Sequence, residues 1–499
     1  MRKKIFGLLI VCVAFIGIVD ASYLTYTELR GNQPACRPPF DCGTVLNSPL
    51  SRIGPVPLSA IGIFYYTVIL IIGAIAFLQE DHEDLVRAVA FCGFLFSLYL
   101  VFMMGVLLQA WCLYCLVSAL CCLLIFVSSL ALCWSRKELM PGSNWFTRTF
   151  HSVYVLIIKP IFFLFDAEFV HNRLTQTGSL LGSFGLTKRL TALAFFPKSP
   201  AKGVTIDGIT FPTRVGLSAG FDYTGSLTGI VSSLGFGFET IGTITYQAYD
   251  GNTPPRLGRF PRSKALLVNK GFKNVGAAKM CAKLASLQFD IPTGISIGST
   301  NTLFASQKLQ IIDIMESFRL FEKSKGKHAY YELNISCPNV TNPFSFKTPK
   351  ELEALLTAVD TLKIKRPIYL KMPIDLSEKE TVALLRTADG HTIAGVIFGN
   401  LTKDKKNPDV HPSDRELWEK SHGNLSGKPT WHRSNTYIKL TKKLFKQRFT
   451  IIGTGGIFTP EDAATKIELG ADLVQMITGM IYEGPARVGE IARHLSLKK

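Results

Sequence analysis

The sequence predicts a multidomain protein: an N-terminal all-α bundle of four transmembrane helices, then a C-terminal α/β (β/α)8 TIM barrel that begins with an amphipathic helical hairpin. Three observations support this. Residues 1–134 hold seven basic and seven acidic side chains, so the whole net charge of +18 lies in the remaining residues. The first part contains four long apolar stretches. The second alternates eight β-rich runs with helical stretches. These features exclude a soluble single domain, a disordered chain and a disulfide-rich miniprotein.

Four stretches approach the roughly 20 apolar residues that a helix needs to cross a bilayer. They cover residues 5–27, 58–78, 86–108 and 111–134. A signal peptide is the alternative for the first, but it has no small-x-small cleavage site and three more apolar stretches follow. Basic residues at 2–4 and 136–137 predict that both ends of the chain are cytoplasmic. We therefore expect a multi-pass domain over 1–134 in the cell inner membrane, with loop 28–57 outside.

Two cysteine pairs fall on the same predicted outer face. Cys36 and Cys42, the loop pair, lie in the loop after the first helix; Cys112 and Cys115, the helix pair, form a Cys-x-x-Cys that opens the fourth helix. The neighbouring sulfur and the helix dipole lower the thiol pKa of such a motif, which suits thiol–disulfide exchange. An inert pair in an apolar helix is the alternative for the helix pair alone. A second pair on the same face favours redox chemistry in an oxidising compartment.

This arrangement resembles bacterial vitamin K epoxide reductase homologues over residues 5–134. The resemblance rests on the four helices, the Cys-x5-Cys loop followed by Ser48 and Pro-Leu-Ser at 57–59, and the helix pair. It implies that the loop pair relays electrons from an extracytoplasmic thiol protein and that the helix pair passes them to a quinone near Ser48. Bacterial members often carry a thioredoxin-like domain, which we do not find here. A separate thioredoxin-like dithiol partner is therefore expected.

The composition changes between the two parts. Residues 135–150 are polar and basic, with a Pro-Gly-Ser-Asn breaker at 141–144, and we place a linker there. Residues 151–200 interleave apolar runs with basic side chains, which predicts amphipathic helices at a membrane surface; a packed hairpin is the alternative. The barrel domain then covers 201–499. The basic balance favours attraction to the anionic lipid of the bilayer over nucleic acid, because the sequence shows no zinc spacing or aromatic-basic platform.

The barrel is predicted from eight short β-rich runs with helical stretches between them. They cover residues 214–221, 238–245, 293–299, 330–337, 367–373, 395–401, 450–457 and 473–480. Such barrels place their chemistry at the C-terminal ends of the strands. Polar or glycine residues stand at those ends: Ser218, Thr243, Ser299, Asn334 with Cys337, Lys371, Asn400, Gly455 with Gly456, and Thr478. Satisfied strand-end polar groups are the alternative, but a structural barrel does not need a lysine, two asparagines and a cysteine at one mouth.

Three of these positions indicate particular chemistry. The glycines at 455–456, and Thr478 with Gly479, offer backbone amides where such barrels bind phosphate, which predicts a phosphorylated cofactor. Lys371 is a candidate cation for the negative charge of a reduced flavin ring; a surface lysine is the alternative. Cys337 is a candidate base, and an inert buried cysteine is its alternative. No metal site is predicted.

Residues 155–495 resemble dihydroorotate dehydrogenases. The motifs are residues 216–222, 241–245, 334–339, 425–429 and 452–457, and residues 159–166 with His171 resemble the quinone-tunnel segment of the class 2 enzymes. The resemblance implies FMN bound by Ala219, Gly220, Thr243, Asn334, Lys371, Gly427, Gly455, Gly456, Thr478 and Gly479. It implies that dihydroorotate contacts Asn269, Phe272, Asn334, Asn339 and Asn400. Cys337 would take the C5 proton while C6 gives hydride to the flavin, with His171 near the quinone.

The chain departs from the class 2 pattern at several positions near the expected ligands. These are Cys337 for the usual Ser, Tyr223 for Lys, Ser296 and Ser299 for Asn and Lys, Val268 where the substrate-loop Asn is expected with Asn269 one residue later, and Ile477 where some quinone-using relatives have Tyr. Ser-Cys-Pro-Asn is the form of the soluble class 1 enzymes. Quinone is the expected acceptor, with fumarate or NAD left open by these changes.

The leading hypothesis is a membrane-bound bifunctional oxidoreductase. Its barrel oxidises dihydroorotate in pyrimidine biosynthesis and its membrane domain exchanges electrons between thiols and quinone. Two alternatives remain: the barrel acts on another dihydropyrimidine, or it is a non-catalytic module that senses FMN or a metabolite. The two sites are expected on opposite membrane faces, so we expect them to share quinone without a direct electron path.

Overall fold

The computed structural model divides the chain into two compact units, residues 1–156 and 157–499. It describes residues 2–32, 34–48, 51–79, 83–133, 145–196, 203–336, 338–341 and 344–497. The first unit is helical and the second contains a closed eight-stranded parallel barrel. The predicted fold class is therefore confirmed.

Four long apolar helices dominate the first unit. Its elements are α1 (Arg2–Leu29), α2 (Cys42–Leu46), β1 (Arg52–Ile53), β2 (Val56–Pro57), α3 (Leu58–Gln79), α4 (Glu83–Phe102), α5 (Leu113–Cys133) and α6 (Trp145–Val153). Within the described residues, four helical stretches are long and apolar enough to cross a membrane: 5–29, 58–77, 85–108 and 113–131. Helix α1 packs against α3 and α5, and α4 packs against α5. Many of their apolar side chains remain exposed, as expected of a bundle that is solvated by lipid.

Two details of this unit differ from the sequence expectation. The third spanning stretch ends in a π-helical turn, Met103–Leu108, and Gln109 then takes a φ of +47° where the chain turns back. Residues 145–150, part of the predicted linker, are helical and form the start of α6. Helix α6 packs against α4. The breaker at 141–144 lies outside the described residues. Tertiary contact with α4 explains why a polar, basic segment forms a helix beyond the breaker.

The second unit begins with the predicted helical segment. It consists of α7 (Lys159–Leu164), α8 (Ala167–Ser183) and α9 (Gly185–Phe195). The Asp166 side chain caps α8 by accepting a hydrogen bond of 2.8 Å from the Phe169 amide. Large apolar side chains face outward, among them Leu164 at 83% exposure and Leu186 at 70%. An exposed apolar face of this extent is typical of a surface that contacts lipid or a partner.

Eight short parallel strands close the barrel. The strands of this unit are β3 (Val204–Ile206), β4 (Ile209–Phe211), β5 (Val215–Leu217), β6 (Phe238–Ile244), β7 (Leu257–Phe260), β8 (Ala265–Val268), β9 (Thr293–Ile297), β10 (Tyr330–Asn334), β11 (Ile368–Lys371), β12 (Gly395–Phe398), β13 (Asn424–Gly427), β14 (Thr450–Thr454) and β15 (Leu473–Met476). The barrel order is β5-β6-β9-β10-β11-β12-β14-β15, and β15 pairs with β5 to close it. Its strands are buried on both faces, which explains their continuous apolar runs. Strands β7, β8 and β13 form a separate antiparallel sheet.

Helices between the strands cover the barrel. They are α10 (Ala277–Leu284), α11 (Gln307–Lys323), α12 (Pro349–Asp360), α13 (Glu378–Asp389), α14 (Pro412–Glu419), α15 (Trp431–Phe445), α16 (Pro460–Glu468), α17 (Thr478–Glu483) and α18 (Ala486–Leu497). Capping boxes that start at Thr348, Ser377 and Thr459 fix the first turns of α12, α13 and α16. At the N-terminal end of the barrel, Phe211 of β4 packs against Phe238 and Tyr330. That end is therefore filled, which leaves the opposite end for a binding cavity.

Candidate functional site

The C-terminal ends of the barrel strands surround a cavity of about 1160 Å³, including its open mouth. Most of the residues predicted from the strand ends and the phosphate motifs lie in its wall: Ser218, Ala219, Gly220, Thr243, Asn334, Lys371, Asn400, Gly427, Gly455, Gly456, Thr478 and Gly479. Phe272, Asn339 and His171 also line it. We refer to it below as the barrel cavity.

Hydrogen bonds fix the asparagine at the end of β10. The Asn334 Nδ2 donates to Thr243 Oγ1 over 2.9 Å, and that hydroxyl lies 2.8 Å from Ser296 Oγ. The Asn334 Oδ1 accepts from the Ser336 amide and hydroxyl, and Asn400 Nδ2 donates to the same hydroxyl. The two amide side chains are thus held in one network, and amides with fixed orientation can recognise a planar ring by its own donors and acceptors.

Lys371 is buried rather than on the surface. It is 4% exposed at the end of β11, and its Nζ donates to Ser218 Oγ over 3.3 Å. The Glu332 carboxylate lies 3.9 Å from Nζ and accepts hydrogen bonds from Thr240 and Gln475. A buried cation with one balancing carboxylate behind it is suited to stabilise negative charge that forms in front of it.

Glycines with positive φ values form another part of the cavity wall. Gly455 and Gly456 have φ values of +85° and +74°, and a Cβ on Gly455 would lie 2.2 Å from Thr430 Oγ1. Gly220 has a φ of +106°, and a Cβ there would project into the cavity, since its nearest neighbour is Ile477 Cδ1 at 4.0 Å. A side chain would fill this space. The wall therefore fits a bulky planar group with a phosphate at the 455–456 amides.

The substrate loop requires one correction. Val268, the last residue of β8, lines the cavity and Asn269 does not. The Asn269 side chain accepts a hydrogen bond of 2.9 Å from Asn252 Nδ2, outside the cavity wall. Asn269 follows the last residue of β8 and pairs with Asn252, so its amide is not part of the cavity lining. Asn339 remains in the wall, and its Nδ2 donates to the Val268 carbonyl over 2.9 Å.

One further predicted position stands apart from the wall, and another is not described. Ser299 does not line the cavity and accepts a hydrogen bond of 3.1 Å from Gln310 Nε2. Cys337 lies outside the described residues, between Ser336 and Pro338, so its place as a base remains a prediction.

One side of the barrel cavity is formed by the N-terminal hairpin. The His171 ring of α8 lies edge-on to Phe221 at 4.9 Å and to Tyr223 at 5.7 Å. Burial, and secondarily Lys270, lower the pKa of His171 to about 4, so the ring is neutral at pH 7. The rings of His171, Phe221 and Tyr223 make this side aromatic, and Lys270 and Lys273 also line the cavity. A neutral aromatic headgroup is the kind of ligand that this side fits.

Sequence reasoning missed Lys270. It follows β8 directly, lines the barrel cavity and is 4% exposed, and its Nζ lies 4.2 Å above the centre of the Tyr223 ring. Its position depends on the β7-β8-β13 sheet, which the sequence periodicity did not reveal. The available signal was its place within the substrate-loop motif, beside Gly271 and Phe272.

In the first unit the loop pair and the helix pair pack in one buried cluster. Cys36 and Cys42 form a disulfide with Cα atoms 6.0 Å apart, whereas Cys112 and Cys115 are free thiols. The Asp41 amide donates to the Trp111 carbonyl over 2.9 Å, and the Tyr114 hydroxyl donates to the Ala35 carbonyl over 3.2 Å. These bonds attach the loop to the start of α5. The contact allows a dithiol in one pair to attack a disulfide in the other.

A second cavity, about 820 Å³ with its open mouth, adjoins the helix pair. Ser48 and Cys115 line it, while Cys112 is fully buried on the loop side, and the Cys115 amide donates to its sulfur over 3.3 Å. Asp20 of α1 also lines this cavity, and its Oδ2 has no hydrogen-bond partner among the described residues. A carboxylate inside a spanning helix is a signal of function that the sequence reading overlooked.

Family models match both parts of the chain. One described as "Dihydroorotate dehydrogenase" matches residues 202–498, and one described as "Vitamin K epoxide reductase family" matches residues 8–130. The second match agrees with the resemblance over residues 5–134, and the first covers the barrel part of the resemblance over 155–495 from residue 202 onward.

Curated relatives match the second part. A protein of Synechococcus sp. named "Dihydroorotate dehydrogenase (quinone)" is 34% identical over 346 residues, which cover 66% of this chain and 89% of that protein. Proteins of the same name from Trichormus variabilis and Synechococcus elongatus are 34% and 38% identical and are covered over 94% and 79% of their lengths.

Solved structures agree in fold. A DHODH of Eimeria tenella in complex with ferulenol superposes with a TM-score of 0.55 at 24% identity, over 66% of this chain and 90% of that one. The ligand-free enzyme from the same organism gives a TM-score of 0.52 at 25% identity, over 61% and 91% of the two chains.

Proposed function

Because the chain belongs to the dihydroorotate dehydrogenase family and also carries a vitamin K epoxide reductase domain, we propose that it is a bifunctional quinone-linked oxidoreductase. Its barrel oxidises dihydroorotate to orotate, with FMN as cofactor and membrane quinone as acceptor. Its membrane domain transfers electrons from an extracytoplasmic dithiol protein to quinone. The observation that carries the proposal is the barrel cavity, in which the buried Lys371, the fixed amides and the glycine wall face one space.

The barrel residues divide the oxidation between them. Asn334, Asn339 and Asn400 hold the ring, and Cys337 removes the proton at C5. FMN, when bound, accepts the hydride from C6. Lys371 stabilises the negative charge that this transfer brings to the cofactor, because it is buried and already oriented by Ser218. The glycines at 455–456 and Thr478 bind the cofactor phosphate through backbone amides and a hydroxyl.

Electrons leave the barrel on the hairpin side. The neutral His171 ring and the aromatic rings of Phe221 and Tyr223 beside it favour a quinone headgroup as the acceptor. Ile477 also lies in the cavity wall, where a relative's tyrosine would add a hydroxyl. Quinone is therefore the acceptor that we propose.

The membrane domain performs a balanced exchange. A partner dithiol reduces the Cys36–Cys42 disulfide, and the resulting loop dithiol reduces a disulfide between Cys112 and Cys115. The helix dithiol then gives two electrons to quinone, and its two protons complete the quinol. Asp20, beside Cys115 in the second cavity, is placed to pass one of these protons to a quinone oxygen. Ser48 faces the same space.

The four apolar helices support membrane association. We propose that the protein lies in the cell inner membrane with both chain ends and the barrel in the cytoplasm and both cysteine pairs on the outer side. The basic residues at the two outer ends of the helical bundle support this orientation.

The test is an anaerobic visible spectrum of the detergent-purified full-length protein before and after dihydroorotate, followed by a soluble quinone. We expect dihydroorotate to bleach the flavin and quinone to restore it, and we expect the Cys337→Ala protein to bind flavin but reduce it at least about 100-fold more slowly. A flavin that stays oxidised contradicts the assignment.

Two outcomes would indicate other functions. Bleaching by another dihydropyrimidine alone would indicate a different substrate, which the changes at Tyr223 and Val268 allow. Tight flavin without turnover by any substrate would indicate a sensing module.

A further inference from the structure

Lys270 is the residue from which a further role can be inferred. It lies in the loop that joins β8 to α10, and this loop covers the ends of the barrel strands. The Val268 carbonyl of the loop accepts from Asn339, and Gly298 lies against the Phe272 ring, where an added Cβ would be 2.8 Å from Phe272 Cε2. Lys270 therefore lines the same cavity as the amides that we assign to the substrate.

The positive charge of Lys270 is incompletely balanced. Its Nζ lies 3.8 Å from Glu168 Oε1, which is longer than a hydrogen bond. The same carboxylate binds Arg256 Nε at 2.9 Å and lies 3.5 Å from Lys273 Nζ. One carboxylate thus faces three cations. This group leaves excess positive charge beside the barrel cavity, whereas Lys371 has Glu332 to itself at 3.9 Å.

An anionic substrate needs such a charge. Dihydroorotate carries a carboxylate, and a carboxylate that leaves water for a closed site is destabilised unless a cation or hydrogen-bond donors meet it. Val268 and Tyr223 stand where the resembling enzymes have amide and ammonium groups, so those contacts are missing here. The Tyr223 ring instead holds Lys270 by a cation–π contact of 4.2 Å.

We propose that Lys270 binds the carboxylate of the ring substrate and that Tyr223 positions its ammonium group. In the resembling enzymes a lysine stands at the position of Tyr223. In this chain Lys270, on a neighbouring loop, supplies the positive charge instead. This assignment rests on the proposed dihydroorotate function. It makes Lys270 a specificity-determining residue that selects carboxylated rings over neutral ones and has no part in binding the neutral quinone.

The test measures binding separately from turnover. The full-length FMN-loaded protein is titrated with orotate, and the shift of the flavin spectrum gives its Kd; a pyrimidine without the carboxylate serves as the neutral probe. Lys270→Met should raise the Kd for orotate at least tenfold and leave the flavin content and the Kd of the neutral probe unchanged. Tyr223→Lys in combination with Lys270→Tyr should recover most of the loss, which a merely structural role would not predict.

Lys273→Met is the matched control, because it removes a cation from the same Glu168 group at a side chain that is 37% exposed. We expect it to change the Kd for orotate by less than threefold. An unchanged Kd in Lys270→Met, an equal loss for the neutral probe, or an effect confined to the KM for quinone would overturn the assignment. If the wild-type protein binds no orotate, the proposed function fails with it, and that result is distinct from tight binding that does not depend on Lys270.

Discussion

Lys371 and Glu332 show how a functional charge is held inside the barrel. Neither side chain is more than 5% exposed, and the carboxylate accepts hydrogen bonds from Thr240 and Gln475 and forms an ion pair with the ammonium at 3.9 Å. A buried pair contributes little net stability when it is complete, but the loss of one partner leaves an uncompensated buried charge. Lys371 is therefore expected to matter for folding as well as for the proposed chemistry.

Lys371→Met should lower the free energy of unfolding of the barrel by about 3 kcal/mol or more and abolish flavin binding. The double variant with Glu332→Gln should recover most of the stability, because the lone charge is gone, but it should remain free of flavin. Denaturant unfolding and the flavin absorbance check the two effects. Recovery of flavin in the double variant would contradict the role of the cation.

His171 predicts a dependence of stability on pH. Its folded pKa of about 4 lies below the ordinary value, so between pH 6.5 and 4 the unfolded chain binds a proton that the folded chain does not. The contribution of His171 to the free energy of unfolding is fully present above pH 6.5. It falls by up to about 3 kcal/mol as pH drops through this window. His171→Gln should remove that part of the fall in denaturant unfolding at each pH. His432→Gln, at a side chain that is 71% exposed, should not.

At the residue scale, the sequence predicted the strand-end members of the barrel cavity, because chemistry in this fold follows the strand ends. Asn269 does not line this cavity, because it follows the end of β8 and its side chain bonds to Asn252. Lys270 and Asp20 were missed since their importance comes from neighbours distant in sequence.

At the scale of elements, the hairpin docks on the barrel through close backbone contact. A Cβ on Gly182 of α8 would lie 3.0 Å from the Gly229 carbonyl carbon, and a Cβ on Gly229 would lie 2.8 Å from the Gly182 carbonyl oxygen. On the same helix, Glu168 pairs with Arg256. The hairpin is therefore positioned by the Gly182–Gly229 backbone contact at the C-terminal end of α8 and by the Glu168–Arg256 ion pair at its N-terminal end.

Gly182→Ala should weaken this docking by about 1–3 kcal/mol, because backbone atoms rather than a flexible side chain must move. We expect faster proteolysis within 157–196 and a higher KM for quinone, with flavin content unchanged. Gly185→Ala is the matched control, since a Cβ there meets no atom within 4 Å. Equal proteolysis rates in the two variants would contradict the role of the close contact.

The sequence predicted all eight barrel strands but made them too long. The first run, 214–221, contains only the three residues of β5. Apolar and small residues continue past the hydrogen-bonded ladder into the loops that line the cavity, so composition alone does not mark the end of a strand. The start of helix α6 was not predicted, because its local composition is polar and the helix is stabilised by contact with α4.

At the scale of the whole molecule, each cavity is lined by residues of one unit only. The barrel cavity is built from residues after 170 and the second cavity from residues before 120. Two complete sites in separate units favour independent reactions that meet only in the quinone pool.

Cys112→Ser should therefore abolish quinone reduction by a dithiol protein and leave reduction of flavin by dihydroorotate within twofold of the wild-type rate. Stopped-flow absorbance of the flavin and a coupled thiol assay measure the two reactions in one preparation. Cys281→Ser, a cysteine remote from both pairs in the sequence, is the control and should affect neither. Loss of flavin turnover in Cys112→Ser would refute independence.

The seam at which β15 pairs with β5 has a consequence for biosynthesis. While the ribosome is still translating the last barrel segment, the sheet is open and has two unpaired edges, which are prone to aggregation. Gly455, Gly456 and Thr478 also come late in the chain, so a nascent polypeptide cannot complete its phosphate site before closure. A premature stop codon between 457 and 472 would thus yield the helical first unit attached to an unclosed barrel, which we expect to bind no flavin and to be degraded by proteases.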